Sequence, residues 1–302
     1  MPLVTVITAA YNSSRTLRVA IDSLRNQSFA DWEAWIVGDA CTDDSGDVVR
    51  SFGDERLHWV NLERNYGGQW FPNNEGLRRA QGKYVAYLSH DDLWLPDHLK
   101  DLVQLIEESG ADFVHSVCGL FGPRGWFICR GLPLEGESYE DHAIPPSCCL
   151  HRRDLVESVG YWTDPAVLTI TADFDYTRRV YQAGKTFAFC PRFSVVKIPA
   201  PLIRLYAIQD ALPQEALWER IRTDLPGFEH ELLGAVASAA ARLQWGRPAD
   251  SLWVAIRRVL GIFKRALLRP FRDHASTFRY RHARFQRERA DSRLKRGLPP
   301  MK

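Results

Sequence analysis

From Leu3 to Ile106 the chain alternates short β-branched apolar runs with stretches of helical period, and few architectures accept that pattern. Leu3–Ala9 has the composition and length of a buried strand. Ser14 then opens a helix with Leu17, Ile21 and Leu24 on one face. Trp35–Val37 reads as a second strand ending at Gly38-Asp39, Asp43–Phe52 as a short helix and Leu57–Leu62 as a third strand. Asn65-Tyr66-Gly67-Gly68 is a loop. Asn74–Ala80 is helical and stops before Gly82. Tyr84–Leu88 is a fourth strand, followed by Ser89-His90-Asp91-Asp92. Pro96 opens a helix carrying Leu99, Leu102, Val103, Leu105 and Ile106.

Strands and helices in strict turn predict an α/β fold with a mostly parallel sheet flanked by helices. Ligands of such sheets bind beyond the carboxyl ends of the strands. Asp39 follows the second strand, and Asp91 and Asp92 follow the fourth. Both acidic sites therefore fall on the edge where a ligand belongs. Further on, Phe113–Ile128 is strand-like and Gly-interrupted. Leu155–Val159 and Phe174–Tyr181 read as helices, and Phe187–Phe189 and Phe193–Ile198 as late strands. Pro199 and Pro201 mark a boundary, so residues 1–205 form one domain and 206–302 a helical extension.

Composition separates those two parts. Of the 302 residues, 45% are hydrophobic and 25% charged, which excludes collagen-like, coiled-coil and wholly disordered chains. The net charge of +2 conceals an asymmetry: Leu252–Lys302 holds 15 Lys and Arg against 3 Asp and Glu, and the preceding 251 residues hold 24 against 34. A mildly acidic body with a basic tail suggests two tasks. In Leu252–Phe271 the residues Leu252, Ile256, Val259, Leu260, Phe263 and Leu267 recur at helical spacing among Arg257, Arg258, Lys264, Arg265 and Arg269. Such a helix suits an anionic membrane surface. Packing on the body or a solvated extension are the plainer readings, and nucleic-acid binding ranks last because no recognised motif accompanies the charge. No apolar run reaches the ~20 residues of a membrane span. No basic segment precedes the first apolar stretch, as a secretory signal would require. The six cysteines show no CxxC spacing and read as reduced, in a cytosolic setting.

Four motifs occur in order: VTVITAAYN at Val4–Asn12, VGDACTDDS at Val37–Ser45, SHDDLWLPDHL at Ser89–Leu99 and ADFDYTRRV at Ala172–Val180. Together they resemble a family 2 glycosyltransferase with the GT-A nucleotide-binding fold, over about two thirds of the chain. The resemblance implies an inverting, metal-dependent transfer of a sugar from a UDP or dTDP sugar to a hydroxyl of a glycan or lipid-linked acceptor. Acceptors of that kind, taken with the cysteines and the basic tail, predict a cytoplasmic protein, peripheral at the inner face of the cell membrane. Asp39 would accept the N3–H of the base, with Ala9, Tyr11 and Asn65 lining the donor pocket. Asp91 and Asp92 would hold Mg2+ or Mn2+ against the diphosphate, and Asp173 would be the general base. Each also has a bland reading as a helix-capping or first-turn acid.

Departures from the family pattern are visible. Ser89 stands where the first Asp of Asp-x-Asp is usual, with His90 in the middle position. Gly38 and Ala172 replace acids often found before Asp39 and Asp173. Arg152 and Arg153 are phosphate contacts or surface charge, and Trp70, Trp94, Trp126 and Trp162 are sugar-stacking or core residues. Two other readings stay open. One is a sugar nucleotidyltransferase, although Ala9–Ser14 lacks the Gly-rich basic loop that activity calls for. The other is a non-catalytic GT-A module that binds only nucleotide sugar or membrane.

Overall fold

The computed structural model describes residues 1–121, 127–133, 138–198 and 212–245. Strand β1 (Val4–Ala10) lies between β2 (Trp32–Gly38) and β4 (Tyr84–Tyr87), parallel to both, and β3 (Leu57–Asn61) extends the parallel array beyond β2. A strand paired on both sides and covered on both faces should be largely apolar, as VTVITAA is apart from Thr5 and Thr8. Helix α1 (Ser14–Arg25) buries Leu17, Val19, Ala20, Ile21 and Leu24. Helices α2 (Ser45–Ser51) and α3 (Trp70–Arg79) complete this half. Helix α3 starts a turn earlier than Asn74, because Pro72 falls in the first turn, where its missing N–H costs nothing. Helix α4 (His98–Ser109) starts two residues after Pro96 and ends on Gly110, whose φ of 67° is free of steric cost only for glycine.

The sheet is mixed rather than mostly parallel. Its order is β3-β2-β1-β4-β8-β6-β9-β5, with β7 paired to β6. Beyond β4, strand β8 (Cys149–Arg152) is antiparallel to both β4 and β6 (Phe113–Phe121). Strands β7 (Phe127–Arg130) and β5 (Asp92–Trp94) add two further antiparallel pairs. The two late strands expected from the sequence are one, β9 (Phe187–Lys197), parallel to β6. Cys190, Pro191 and Arg192 bulge opposite Ser116, which gives Pro191 a place inside a strand despite its missing donor. Short helices α5 (Leu155–Val159) and α6 (Ala172–Gln182) lie between β8 and β9 in sequence, and α7 (Leu212–Thr223) follows.

Buried polar groups tie these parts together. Glu33, on β2, accepts from Thr5 Oγ1 at 2.7 Å and from Gln81 N at 2.8 Å. Gly82 N donates to Thr5 Oγ1 at 2.8 Å, and a Cβ on Gly82 would come within 2.5 Å of the Thr5 backbone nitrogen. Trp94 is fully buried, stacks on His98 at 4.4 Å and donates to Ser147 O at 2.8 Å.

The chain divides into two compact units, Met1–Asp224 and Leu225–Lys302. The boundary expected at 205/206 and the basic segment from Leu252 both lie outside the described residues. In the second unit, α8 (Leu225–Trp245) is described, with Phe228 and Leu232 buried and Leu233 exposed. No helix among the described residues is long and apolar enough to cross a membrane.

Three histidines are buried as neutral rings. Burial pushes His98 down to about 3 and His151 to about 4; burial, aided by neighbouring His142, pushes His115 to about 3. An unfolded His titrates near 6.5. Below that pH the unfolded chain takes up protons that the folded chain refuses, so stability is full above about pH 6.5 and falls toward pH 4. Each ring contributes a slope of up to about 1.4 kcal/mol per pH unit. The urea midpoint should drop markedly between pH 7 and pH 5; an unchanged midpoint would show these rings to be protonated in the fold.

Candidate active site

The carboxyl ends of β1, β2 and β4 form one rim. Asp39 N donates to Ala10 O at 2.8 Å and Leu88 N to Ile7 O at 3.0 Å, so all three strands release their chains side by side. Ala9, still within β1, pairs with Val37, and Tyr11 is the first residue beyond the strand. Two non-glycine residues here are left-handed, Asn12 (φ 43°) and Ala40 (φ 59°). Their turns are held by side chains. Asn12 Oδ1 accepts from Thr42 N at 2.8 Å, while Asn61 brackets Cys41 through its N–H (2.8 Å) and its C=O (2.9 Å).

Asp39 is 4% exposed and central to this rim. Its Oδ1 accepts from Tyr66 N at 2.7 Å and its Oδ2 from Gly67 N at 2.9 Å. Asn65 Nδ2 closes the loop onto Asp39 O at 2.8 Å. The Tyr66 ring stacks on Phe71 at 3.6 Å, with the Arg64 guanidinium 4.7 Å above it. Asp39 and Asn65, singled out separately in the sequence, thus form one unit. Gly67 takes φ 79° to bring its N–H to the carboxylate.

At the end of β4, His90 Nδ1 lies 3.1 Å from Thr16 Oγ1, which itself donates to Ser13 O at 3.0 Å. That hydroxyl has one proton, so His90 Nδ1–H is the donor. Asp91 is 7% exposed and Asp92 fully buried. Asp92 Oδ2 accepts from both Lys197 Nζ and Ser147 Oγ. Burial opposes the charge on Lys197, but Asp92 and then Asp91 outweigh it and raise its pKa, so it is an ammonium. Burial raises the Asp92 carboxyl against the pull of that ammonium. Of the two acids expected to hold metal, Asp92 already carries a cation of its own.

Asp173 stands in the first turn of α6, beside a small recess lined also by Tyr87, Pro146, Cys149, Trp162 and Tyr176. Trp162 stacks on Tyr176 at 5.1 Å and donates to Tyr87 OH at 3.1 Å. Asn74 holds the Trp162 backbone through two bonds, of 2.8 and 2.9 Å. Asp175 accepts from Thr163 Oγ1 (2.8 Å) and Arg179 Nε (2.9 Å), and Arg179 also donates to Val159 O and Tyr161 O. Asp175 thereby fixes the segment that delivers Trp162.

Other candidates resolve as scaffold. Trp94 and Trp162 are core residues, Trp70 is half-buried and Trp126 lies outside the described residues. Arg152 pairs with Asp154 at 2.7 Å on the surface, and Arg153 donates to Ala80 O at 3.1 Å. The six cysteines are free thiols. Burial pushes Cys148 and Cys149 well above the usual thiol range, which removes them as nucleophiles. Lys197, Ser147 and Tyr87 were not singled out in the sequence. Lys197 meets Asp92 across 105 positions, and no local spacing announces that contact.

Among the described residues no three His, Cys, Asp or Glu side chains gather as a metal site. A single rim carboxylate, Asp91, fits a hard divalent cation whose remaining ligands are diphosphate oxygens and water.

The glycosyl transferase family 2 profile matches residues 5–159, so the chain belongs to that family. It is 40% identical over 143 residues to TuaG of Bacillus subtilis, a glycosyltransferase assigned to teichuronic acid biosynthesis, covering 46% of this chain and 56% of that one. It is 31% identical over 117 residues to WfaP of Escherichia coli, covering 38% and 46%. WfaP is a UDP-Glc:α-D-GlcNAc-diphosphoundecaprenol β-1,3-glucosyltransferase. The chain spans about half the length of these curated relatives. Among solved structures, residues 1–349 of S. aureus TarS with UDP match at TM-score 0.58 and 20% identity, over 99% of this chain and 92% of that one. A mannosyltransferase from Pyrobaculum calidifontis, solved with GDP-Man and Mn2+, matches at TM-score 0.51 and 19% identity, over 93% and 84%. The fold is therefore the GT-A type that the motifs implied.

Asp39 anchors the 65–67 loop through bonds to a charged acceptor, worth about 1.5–3 kcal/mol each. Asp39→Asn keeps the shape but offers a single accepting oxygen. Amide hydrogen exchange at Tyr66 and Gly67 should accelerate at least tenfold while β1 and β4 stay protected. Unchanged exchange at both amides would show that the carboxylate does not hold the loop.

Proposed function

We propose that the protein is an inverting glycosyltransferase that moves a sugar from a UDP or dTDP sugar to a hydroxyl of a glycan or lipid-linked acceptor. What supports this reading is that Asp39 follows β2 and Asp91 follows β4 on one edge of the sheet, while Asp173 lines a recess with Tyr87, the last residue of β4. The TarS structures with UDP and with UDP-GlcNAc support a uridine donor, and the WfaP name supports a diphospholipid acceptor.

Asp39 accepts the N3–H of the base, and Ala9, Tyr11 and the Asn65 loop surround it. Asp91 holds the divalent cation, Mg2+ or Mn2+, which supplies charge neutralisation to the departing diphosphate. Asp173 takes the proton of the acceptor hydroxyl as its oxygen forms the bond to the anomeric carbon. The bond from that carbon to the β-phosphate oxygen breaks, and the nucleoside diphosphate leaves on the opposite face. One displacement inverts the centre and needs no covalent enzyme intermediate. Ser89 in place of an acid favours a second reading, a module that binds nucleotide sugar without turnover.

Nucleotide release with UDP-, dTDP- and GDP-sugars, with and without Mn2+, separates the two. Asp173→Asn should lower kcat about 10²–10⁴-fold with the Kd for UDP unchanged, because a general base acts in the transition state. An equal loss of UDP affinity would move Asp173 into the donor site. Asp91→Asn should abolish Mn2+-dependent turnover, and activity that survives both this change and chelation would remove the metal from the scheme.

We further infer that the basic tail holds the protein peripherally on the anionic inner face of the cell membrane, where lipid-linked acceptors reside. Each Lys or Arg near such a surface contributes about 1 kcal/mol. The full chain should float with anionic but not neutral liposomes, and a chain ending at Gly246 should stay in solution. Equal behaviour of the two chains would refute membrane attachment.

A further inference from the structure

The reaction scheme leaves the ion pair behind Asp91 unused. Asp92 opens β5 and Lys197 closes β9 directly across the antiparallel register. The Asp92 side chain is 1% exposed and that of Lys197 22%. Oδ2 of Asp92 is taken by the ammonium and by Ser147 Oγ, and Ser147 Oγ in turn accepts from Ser89 N at 3.2 Å. Oδ1 is closed to solvent and accepts no hydrogen bond among the described residues. Gln214, from α7, reaches the Asp92 carbonyl at 3.4 Å. Asp92 is thus gripped from β9, from the turn before β8 and from α7, and neither oxygen opens onto the rim where a diphosphate would arrive.

Charge makes the same point. A carboxylate this far from water is sustained by its partner, and the pair carries no net charge. The ammonium of Lys197 therefore offsets the charge of Asp92. Lys197 also lies in the field of Asp91.

We propose that Asp92 and Lys197 form a neutral, non-ligating unit, so that Asp91 is the single chain carboxylate on the divalent cation and Lys197 tempers its pull. The two are positioning residues. The adjacent acids are therefore a ligand and a counter-ion rather than a ligand pair. This proposal rests on the metal reading given under Proposed function.

The test is Mn2+ binding at saturating UDP, read by the loss of the free-ion electron paramagnetic resonance signal, with circular dichroism to check folding. Asp91→Asn should lose binding. Asp92→Asn, which leaves the ammonium uncompensated beside Asp91, should weaken binding roughly tenfold. The double variant Asp92→Asn/Lys197→Met removes both charges and should return to within about threefold of the wild type. A double variant as weak as Asp92→Asn alone would make Asp92 a ligand and overturn the proposal. So would Asp92→Asn with wild-type affinity, since the ammonium would then not act at the metal edge. Wild-type protein that binds UDP but no Mn2+ would overturn the metal reading itself, and this proposal with it.

A wild-type measurement covers the case of a variant that does not fold. Lys197 acylation by an amine-reactive ester, followed by mass spectrometry, should not accelerate when Mn2+ and UDP are added. Acceleration would mark an ammonium released as Asp92 turned to the metal, and would overturn the proposal.

Discussion

The structure hangs on β1 being paired in parallel on both sides. With β2 and β4 in register against it, three chain exits are forced onto one edge, and the candidate acids Asp39, Asp91 and Asp92 follow from that edge. The strand can occupy this position because its side chains are apolar apart from two buried threonines, Thr5 and Thr8. The Thr5 hydroxyl is satisfied by Glu33 and Gly82. The close approach at Gly82 sets where β4 begins, and hence where Ser89–Asp92 emerge.

The remaining sheet serves a different end. Antiparallel β8 and the β6–β9 pair bring distant segments against β4, so that Pro146, Cys149, Trp162 and α6 surround Tyr87. The residues around Asp39 come from local strand–loop–helix units. Those around Asp173 are assembled from segments far apart in the chain, held by Asn74 to Trp162 and by Asp175 to Arg179.

That division explains what the sequence made legible. The strands β1 to β4 and helices α1 and α4 were readable because a buried parallel strand and an amphipathic helix each have a local period. Strand β5 was not: three residues inside an acidic motif look like a turn until β9 pairs with them. Strand β9 looked like two strands because Pro191 interrupts it, and only the bulge opposite Ser116 joins the pieces. In the candidate site, the acids could be picked out as candidates from their place after strands. Their partners could not, since Tyr66 N, Ser147 Oγ and Lys197 Nζ approach through the folded chain, and adjacency in sequence made Asp91 and Asp92 look alike.

Ala40 carries a last consequence. Its left-handed backbone, φ 59°, costs an L-residue with a Cβ roughly 1–2 kcal/mol. Glycine there would remove that cost yet give the unfolded chain extra conformational freedom worth roughly 0.4–1 kcal/mol. The first term exceeds the second by up to about 1.6 kcal/mol, so the exchange would raise stability slightly. The turn that presents Asp39 would nonetheless lose the methyl group that limits its alternatives. At this position the constrained turn is held at a small cost in stability, and a thermal screen for improved variants would discard the methyl group that constrains it.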